Sequence, residues 1–166
     1  MDNAAEQKLV EAIRAELARW LADAPGTDAS AINRGEGAYG CCSDFVSTVY
    51  ERLGGVQEAY RLGLSEVGVD QFMTHDEDDQ PVAFDEVLLS KGWPSVQPPL
   101  GMSWTDASAM AQACDFSSGT HEWIVLGGRH YDAECPEGVD NFWDLPFFQR
   151  VVTSYIEEFP QPGMGG

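Results

Sequence analysis

Two adjacent cysteines, Cys41 and Cys42, follow Gly40 and precede a run of apolar residues. The apolar spacing predicts one helix of about three turns that begins at the cysteines and stops at Gly54-Gly55. The apolar face of that helix consists of Phe45, Val46, Val49, Tyr50 and Leu53. At about 100° per residue, Cys42 points toward this face and Cys41 toward its rim. A thiol at a helix N-terminus has its pKa lowered from about 8.5, so Cys42 is a candidate nucleophile. A cysteine that only fills the core is the alternative interpretation.

A second segment that carries side chains able to transfer protons runs from Thr120 to Ala133. Two short alternating stretches flank Gly127-Gly128, a pattern typical of a β-hairpin with a two-residue turn. The expected register pairs Leu126 with Arg129, Val125 with His130, Ile124 with Tyr131, and Trp123 with Asp132. This register places on one face His121, Trp123, Val125, His130 and Asp132. His121 and Asp132 become diagonal neighbours, as a base and the group that orients it must be.

These residues resemble a known family. The segment Cys42–Val46 is similar to the Cys-x-x-Phe-Ala/Val nucleophile motif of the papain-like superfamily, in its NlpC/P60-type and transglutaminase-like branches. The sequence from His121 to Ala133 is similar to the His-x-Trp-Val, glycine turn, Tyr/Trp-x-Asp strand pair of those branches. The resemblance spans about Ile32 to Asp132, roughly half of the chain, and implies no cofactor. It implies that Cys42 is the nucleophile, His121 the general base and acid, and Asp132 the residue that orients the imidazole.

Several further residues are candidates for the surroundings of the nucleophile. Asp44 stands where many NlpC/P60-type motifs have glycine, and no glutamine stands at the usual distance before the cysteine. Tyr39 or the backbone N–H of Cys42 is therefore the candidate oxyanion donor. Trp93 and Trp104 flank a proline-rich connection of the kind that forms binding loops, so they are candidate substrate walls together with Trp123. His130 shares the predicted face and is the alternative base.

Composition restricts the classes of partner. The chain has 166 residues, of which 28 are acidic and nine basic, which gives a net charge of −19. Such a charge repels nucleic-acid phosphates and anionic membrane surfaces, so we expect neither a nucleic-acid nor a membrane partner. No apolar run resembles a signal peptide or a membrane span, which favours a cytoplasmic protein. A protein or peptide-like substrate remains, and the sequence does not determine the oligomeric state.

Metal binding is not indicated by the sequence. The four cysteines, Cys41, Cys42, Cys114 and Cys135, lack the Cys-x-x-Cys spacing of zinc sites, so no metal and no disulfide is predicted. Cys114 and Cys135 are expected to pack as small hydrophobic residues. The acidic segment from His75 to Asp79 does not fit a calcium loop, because Gln80 and Pro81 stand where the alternating ligands and glycine are needed. A solvated acidic loop that includes His75 is the prediction.

The elements that position these residues can also be predicted. The chain is expected to form a single α+β domain over 1–166, papain-like or NlpC/P60-like, with the Cys42 helix packed on a small antiparallel sheet. Helices are predicted over Ala4–Ala24, Gln57–Leu62, Phe84–Ser90 and Thr105–Cys114, the last capped by Thr105 or Asp106. Loops are predicted over Thr27–Gly40 and Glu134–Val139. A closing strand is predicted over Arg150–Phe159, with a helix as the alternative, before a Gly/Pro-rich tail at 160–166.

The sequence therefore predicts a thiol hydrolase or acyltransferase with a Cys42–His121–Asp132 triad. A cysteine peptidase or amidase that forms a thioester intermediate is the first expectation. Transglutamination or deamidation of glutamine is the second. The third is an acidic binding or inhibitory protein, of viral or mobile-element origin for instance, that keeps the fold without turnover.

Overall fold

The computed structural model of the protein describes residues 3–54, 59–64, 66–67, 72–76, 78–98, 101–113 and 121–158. It has mixed α+β architecture, with the elements in the following chain order. They are α1 (Asn3–Ala22), α2 (Ala29–Asn33), α3 (Cys42–Leu53), β1 (Tyr60–Gly63), β2 (Glu66–Val67), β3 (Phe72–His75), β4 (Pro81–Ala83), α4 (Phe84–Ser90), α5 (Trp104–Ala113), β5 (Glu122–Leu126), β6 (Arg129–Asp132), β7 (Cys135–Val139), a 3-10 helix (Phe142–Asp144) and α6 (Pro146–Glu158). None of the helices in these ranges is both long and apolar enough to cross a bilayer.

The chain divides into two compact units. The first comprises residues 1–63 and 121–145, and the second comprises residues 64–120 and 146–166. The first unit contains a four-stranded antiparallel sheet in the order β1-β5-β6-β7, and the second contains a three-stranded antiparallel sheet in the order β2-β3-β4. All three residues predicted for the triad belong to the first unit.

The core of the first unit joins α1 and α3 to one face of its sheet. Strand β5 contributes Ile124 and Leu126, and β6 contributes Tyr131. The helices contribute Leu9, Ala12, Ile13, Trp20, Phe45, Val46, Val49 and Leu53. These positions recur at helical spacing on α1 and α3 and alternate along β5, so one apolar face from each element is removed from water.

A buried carboxylate ties α1 to α3. Glu16 is almost fully buried and accepts hydrogen bonds from Arg19, from the indole of Trp20 and from Arg52 on α3. Burial alone would raise the pKa of Glu16, but the two guanidinium partners outweigh it and lower that pKa. Because the charge is paired, burying it does not leave the unit with an uncompensated ion.

Several of the predicted elements are confirmed. Helices α1, α3 and α4 occupy the expected segments, and α5 does so over its described residues. The cap of α5 is different, because the hydroxyl of Ser103 accepts the N–H of Asp106. The hairpin has the predicted register at Ile124–Tyr131, Val125–His130 and Leu126–Arg129. The predicted position of Cys114 and the tail at 160–166 lie outside the described residues.

Other predicted elements are wrong. Residues 60–62 belong to strand β1 rather than to a helix, and His75 ends strand β3 opposite Pro81 rather than lying in a loop. The loop expected over Thr27–Gly40 contains the short helix α2. Residues 146–158 form helix α6, the alternative to the predicted strand.

Strand β7 occupies a segment predicted as a loop. Pro136 and Gly138 favoured that prediction, but β7 lies at the edge of the sheet, where proline is tolerated. A side chain at position 138 would meet the Tyr131 ring at 2.6 Å, so glycine permits the close approach of the two strands. The edge position thus explains Pro136, and the close approach of Tyr131 explains Gly138.

Candidate functional site

Cys42 is the first residue of α3 and is partly accessible to solvent. Its helix is held by Phe45, Val46, Val49 and Leu53, all of which are buried. The C-terminal end of α3 stops at Gly54, which has the left-handed conformation expected of a helix cap. The apolar face of α3 therefore fixes the helix against the sheet while the sulfur stands at its open N-terminal end.

His121 and Asp132 come from the hairpin that packs against α3. His121 immediately precedes β5, and Asp132 ends β6. The Nε2 atom of His121 and the Oδ2 atom of Asp132 are 2.9 Å apart, and the two side chains are 0% and 2% exposed. The pairing of β6 with β7 shifts register between His130 and Asp132, an irregularity of the kind that redirects a side chain.

Cys42 completes this group through the other side of the imidazole. The side chains of Cys42 and His121 interact, and each shifts the pKa of the other. Because Nε2 faces Asp132, Nδ1 is the ring nitrogen available to exchange a proton with the sulfur. The structure therefore brings together all three residues that the sequence predicts for the triad, in the order sulfur, imidazole, carboxylate.

The electrostatics of the group favour a thiolate–imidazolium pair. Burial by itself raises the pKa of Cys42, but the hydrogen bond and charge of His121, with a hydrogen bond from the backbone N–H of Glu122, outweigh it and lower that pKa. Burial likewise opposes the charged form of His121, but its hydrogen bonds to Asp132 and Cys42 raise the pKa of the imidazole to about 9. The interaction therefore favours transfer of the proton from the sulfur to the ring.

Asp132 is held by donors on both of its oxygens. Oδ1 accepts the backbone N–H of Glu134 at 2.9 Å. Oδ2 accepts the side-chain amide of Asn33 at 3.3 Å in addition to facing His121. Asn33 is not among the candidates that the sequence singles out, because the composition of Thr27–Gly40 predicts a loop. An N-cap aspartate at position 28 followed by the apolar pair Ala31-Ile32 is the signal that could have revealed its helix.

Arg61 donates hydrogen bonds to residues next to Cys42 and His121. Its Nε donates to the carboxylate of Glu122 at 2.7 Å, and its terminal nitrogens donate to the hydroxyls of Ser47 at 2.8 Å and Ser43 at 2.9 Å. Ser43 follows Cys42 and Glu122 follows His121, so one guanidinium links the neighbours of both reacting side chains. No motif in the sequence singled out this arginine.

Asp44 interacts with Cys41. Its carboxylate accepts the backbone N–H of Cys41 at 2.9 Å and lies 3.4 Å from the Cys41 sulfur. The backbone hydrogen bond, followed by that from the Cys41 side chain, lowers the pKa of Asp44. Asp44 is thus the N3 residue of a capping box at the start of α3, and Cys41 is the N-cap residue of that box.

His130, the alternative base, has a different partner. Its Nδ1 accepts the indole N–H of Trp123 at 2.9 Å, and burial lowers the pKa of His130 to about 4. A ring that accepts at Nδ1 and resists protonation is a neutral structural acceptor. Trp123 is fully buried and stacks between His121 and Phe142, so its ring supports the imidazole and has no surface to offer a substrate.

The other candidate wall residues have their own contacts. The ring of Tyr39 is 44% exposed, packs edge-on against Trp20 and lies 4.4 Å from the guanidinium carbon of Arg19. Trp93 and Trp104 belong to the second unit. There, Trp104 packs edge-on against Phe72, and the Lys91 ammonium lies over the Trp93 ring.

Metal ligands are not grouped in the part of the chain that the structure describes: no three His, Cys, Asp or Glu side chains are placed to hold an ion. The cysteines within these ranges, Cys41, Cys42 and Cys135, are free thiols. Burial and the neighbouring Asp132 charge raise the pKa of Cys135, the opposite of the effect at Cys42.

Compared with known proteins, the chain matches no protein-family model, no curated protein and no solved structure. An interpretation of the site therefore depends on its own motifs and geometry.

Proposed function

We propose that this chain is a thiol hydrolase or acyltransferase of papain-like type that acts on amide bonds through a thioester. The observation that carries the proposal is the buried His121–Asp132 pair, 2.9 Å apart, together with the effect of His121 on the pKa of Cys42. The pKa of the thiol is lowered while that of the imidazole is raised, as a nucleophile and its proton carrier require.

In the acylation step, the Cys42 thiolate attacks the carbonyl carbon of the amide and forms a carbon–sulfur bond. The tetrahedral intermediate collapses with cleavage of the carbon–nitrogen bond. His121, protonated at the outset, donates its proton to the leaving amine, so the acyl-enzyme contains a neutral imidazole. Asp132 holds the ring in place throughout.

In the second step, water or an amine attacks the thioester carbonyl. Neutral His121 takes a proton from the attacking molecule, and the carbon–sulfur bond breaks to return Cys42 to the thiolate. The products are an acid or a new amide, together with the starting thiolate–imidazolium pair. The two side chains are thus returned to their starting protonation states after one turnover.

The oxyanion of the tetrahedral intermediate needs donors close to the sulfur. The N–H of Cys42 occupies the first helical position, where a backbone N–H has no partner within the helix, at the positive end of the dipole. This N–H is the first donor that we assign, and the contacts of Tyr39 with Trp20 and Arg19 make the tyrosine the weaker candidate.

The charge of the protein bears on the substrate. A net charge of −19 opposes the approach of an anionic wall polymer. We therefore propose a peptide or protein amide as the substrate class.

Substitution of the two adjacent cysteines tests the nucleophile. We expect Cys42→Ala to abolish covalent labelling and to lower turnover by on the order of 10³-fold or more, with a change in unfolding free energy within about 1 kcal/mol. Cys41→Ala is the matched control and should retain most of the activity, because its sulfur faces Asp44. Intact mass after exposure to an electrophile, followed by peptide mapping, measures both variants. A Cys42 that alkylates no faster than a free thiol between pH 5 and pH 9 would contradict the proposal.

Hydrolysis and transfer to an amine can be separated on the same protein. A labelled primary amine added to the reaction becomes part of the product only if the thioester is resolved by amines. We expect the free acid as the main product from a peptide amide. Incorporation of the amine at a glutamine side chain would instead assign the chain to transglutamination.

A further inference from the structure

Asn33 is placed by a helix that has no role in the proposed chemistry. Asp28 begins α2 and accepts the N–H of Ala31, and the helix ends at Asn33 itself. Ala31 and Ile32 are buried beside it, and the N–H of Glu36 returns to the carbonyl of Ala31 at 2.7 Å. Helix α2 is therefore fixed at both ends, and the Asn33 side chain at its end is buried, with 5% exposed.

The amide of Asn33 binds two carboxylates at once. Its nitrogen donates to Oδ2 of Asp132 at 3.3 Å and to Oε1 of Glu134 at 2.9 Å. Two carboxylates this close repel each other unless donors lie between them. The two hydrogens of one amide satisfy both acids, and neither an aspartate nor an aliphatic residue could do so.

We propose that Asn33 is a positioning residue that holds Asp132 in the orientation in which it binds His121. The proposal rests on the proposed function, because the orientation matters only if His121 transfers protons. Oδ2 is the atom shared by Asn33 and His121, while Oδ1 is occupied by the N–H of Glu134. The carboxylate is thus held at three points and cannot rotate away from the imidazole.

The consequence for the chemistry runs through His121 to the sulfur. Without Asn33, the Glu134 carboxylate loses a donor and repels Asp132, which then turns from the ring. The imidazolium loses its counter-charge, and the thiolate loses the charge that stabilises it. When the pKa of a thiol rises by one unit at a pH below it, the thiolate fraction falls about tenfold.

A double-mutant cycle separates positioning from mere anchoring of α2. We expect Asn33→Ala to slow alkylation of Cys42 by iodoacetamide at pH 7 about tenfold. In the Asp132→Asn background the same change should slow it less than about twofold, because the residue it positions is already altered. Asn141→Ala is the matched control, because Asn141 caps the 3-10 helix through the N–H of Trp143. In this variant the alkylation rate of Cys42 should be unchanged. Equal losses in both backgrounds, or no loss in the wild type, would overturn the proposal.

Titration of His121 by nitrogen-15 NMR tests the same proposal without any reaction at sulfur. In Asn33→Ala we expect the pKa of His121 to fall from about 9 toward that of an exposed histidine. An unchanged pKa would contradict the positioning role. If the wild-type Cys42 proved unreactive while this pKa fell, the proposed function would fail and the positioning of Asp132 would stand.

A measurement on the unaltered protein covers the case in which Asn33→Ala does not fold. The side-chain amide protons of Asn33 share Asp132 with the imidazole, so their resonances should shift as His121 titrates near pH 9. Resonances that stay constant through that titration would overturn the proposal.

Discussion

The three residues of the candidate triad differ in solvent exposure. The sulfur is partly accessible, whereas the imidazole and the carboxylate behind it are buried. Burial weakens competition from water and strengthens every interaction among the three groups. The interaction between Cys42 and His121 therefore favours their charged forms, whereas burial alone opposes the charged form of each group.

The pH dependence of turnover follows from these two pKa shifts. The thiolate forms below the usual thiol pKa, and the imidazolium that donates a proton to the leaving amine in the proposed reaction is lost above about pH 9. We expect turnover to rise through the lowered thiol pKa and to fall near pH 9, while alkylation, which needs only the thiolate, does not fall there. Initial rates of both reactions across pH 5 to pH 10.5 measure the difference.

Asp132→Asn should move both limbs of that profile. The neutral amide removes the counter-charge of the imidazolium, so the pKa of His121 falls and that of Cys42 rises. The change should keep the fold and slow turnover. His75→Gln, which removes an exposed histidine of the second unit, should leave the profile unchanged. A basic limb that remains near pH 9 in Asp132→Asn would exclude Asp132 from the site.

The same shift contributes to stability with a defined sign. The folded-state pKa of His121, about 9, is above its unfolded value of about 6.5. The folded chain therefore binds the proton more tightly, and this contribution is complete below pH 6.5 and lost as the pH rises through 9.

Helix α3 depends on the turn that delivers Cys42 to it. Gly40 has φ +133°, and a Cβ atom built there would stand 2.1 Å from the Asp44 carboxylate. The same carboxylate caps the helix through the N–H of Cys41. The turn before the nucleophile is thus compatible only with glycine, because the cap and a side chain would occupy the same space.

Gly40→Ala should therefore damage both the helix start and the sulfur environment. We expect it to lower the unfolding free energy by about 2–3 kcal/mol and to slow alkylation of Cys42. Gly54→Ala at the other end of α3 is the control, because its φ of +62° is also unfavourable but nothing lies within 4 Å. Gly54→Ala should lower the free energy of unfolding by about 1–2 kcal/mol without slowing alkylation of Cys42. Urea unfolding and alkylation rates measure both, and equal behaviour of the two variants would contradict the assigned clash.

Local patterns were sufficient for the elements that carry Cys42 and the hairpin. The apolar spacing of α3 and the Gly-Gly turn both act over a few residues, so neither depends on the rest of the fold. The proximity of His121 and Asp132 follows from the same register. The sequence could thus predict the triad, although its catalytic role stays a prediction.

Tertiary context explains most of the failures. Strand β7 exists because it lies on an edge and packs Gly138 on Tyr131, neither of which a local pattern reveals. Helix α6 buries Phe148, Val152 and Tyr155 at helical spacing and has Pro146 at its first position, where the missing N–H costs nothing. That signal was present, but the alternation of valine, threonine and isoleucine outweighed it. Asn33 was missed because its partners are about a hundred positions away in the chain.

The whole chain carries a large excess of one charge. The net charge is −19. Among the described residues, ion pairs such as Arg14–Glu137 and Arg34–Glu36 are exposed to solvent. Exposed pairs contribute little to stability, so repulsion among carboxylates dominates the long-range electrostatics of the folded protein.

Stability should therefore increase with salt. Raising sodium chloride from about 10 mM to 500 mM shortens the Debye length from about 30 Å to below 8 Å and screens the repulsion. We expect the urea midpoint to rise over that interval. Potassium chloride should act equally at the same ionic strength, since screening does not depend on the cation. A midpoint that falls would show that the ion pairs outweigh the net charge.

His121 is fully buried, whereas Cys42, with which it interacts, is partly accessible. In the proposed reaction, an acyl group on Cys42 lies next to the ring that later deprotonates the incoming molecule. A bulky acyl group would then shelter its own thioester from bulk water and prolong its lifetime, whereas a small one would leave the ring open to water. The size of the acyl group would thus set how fast the proposed thioester is resolved.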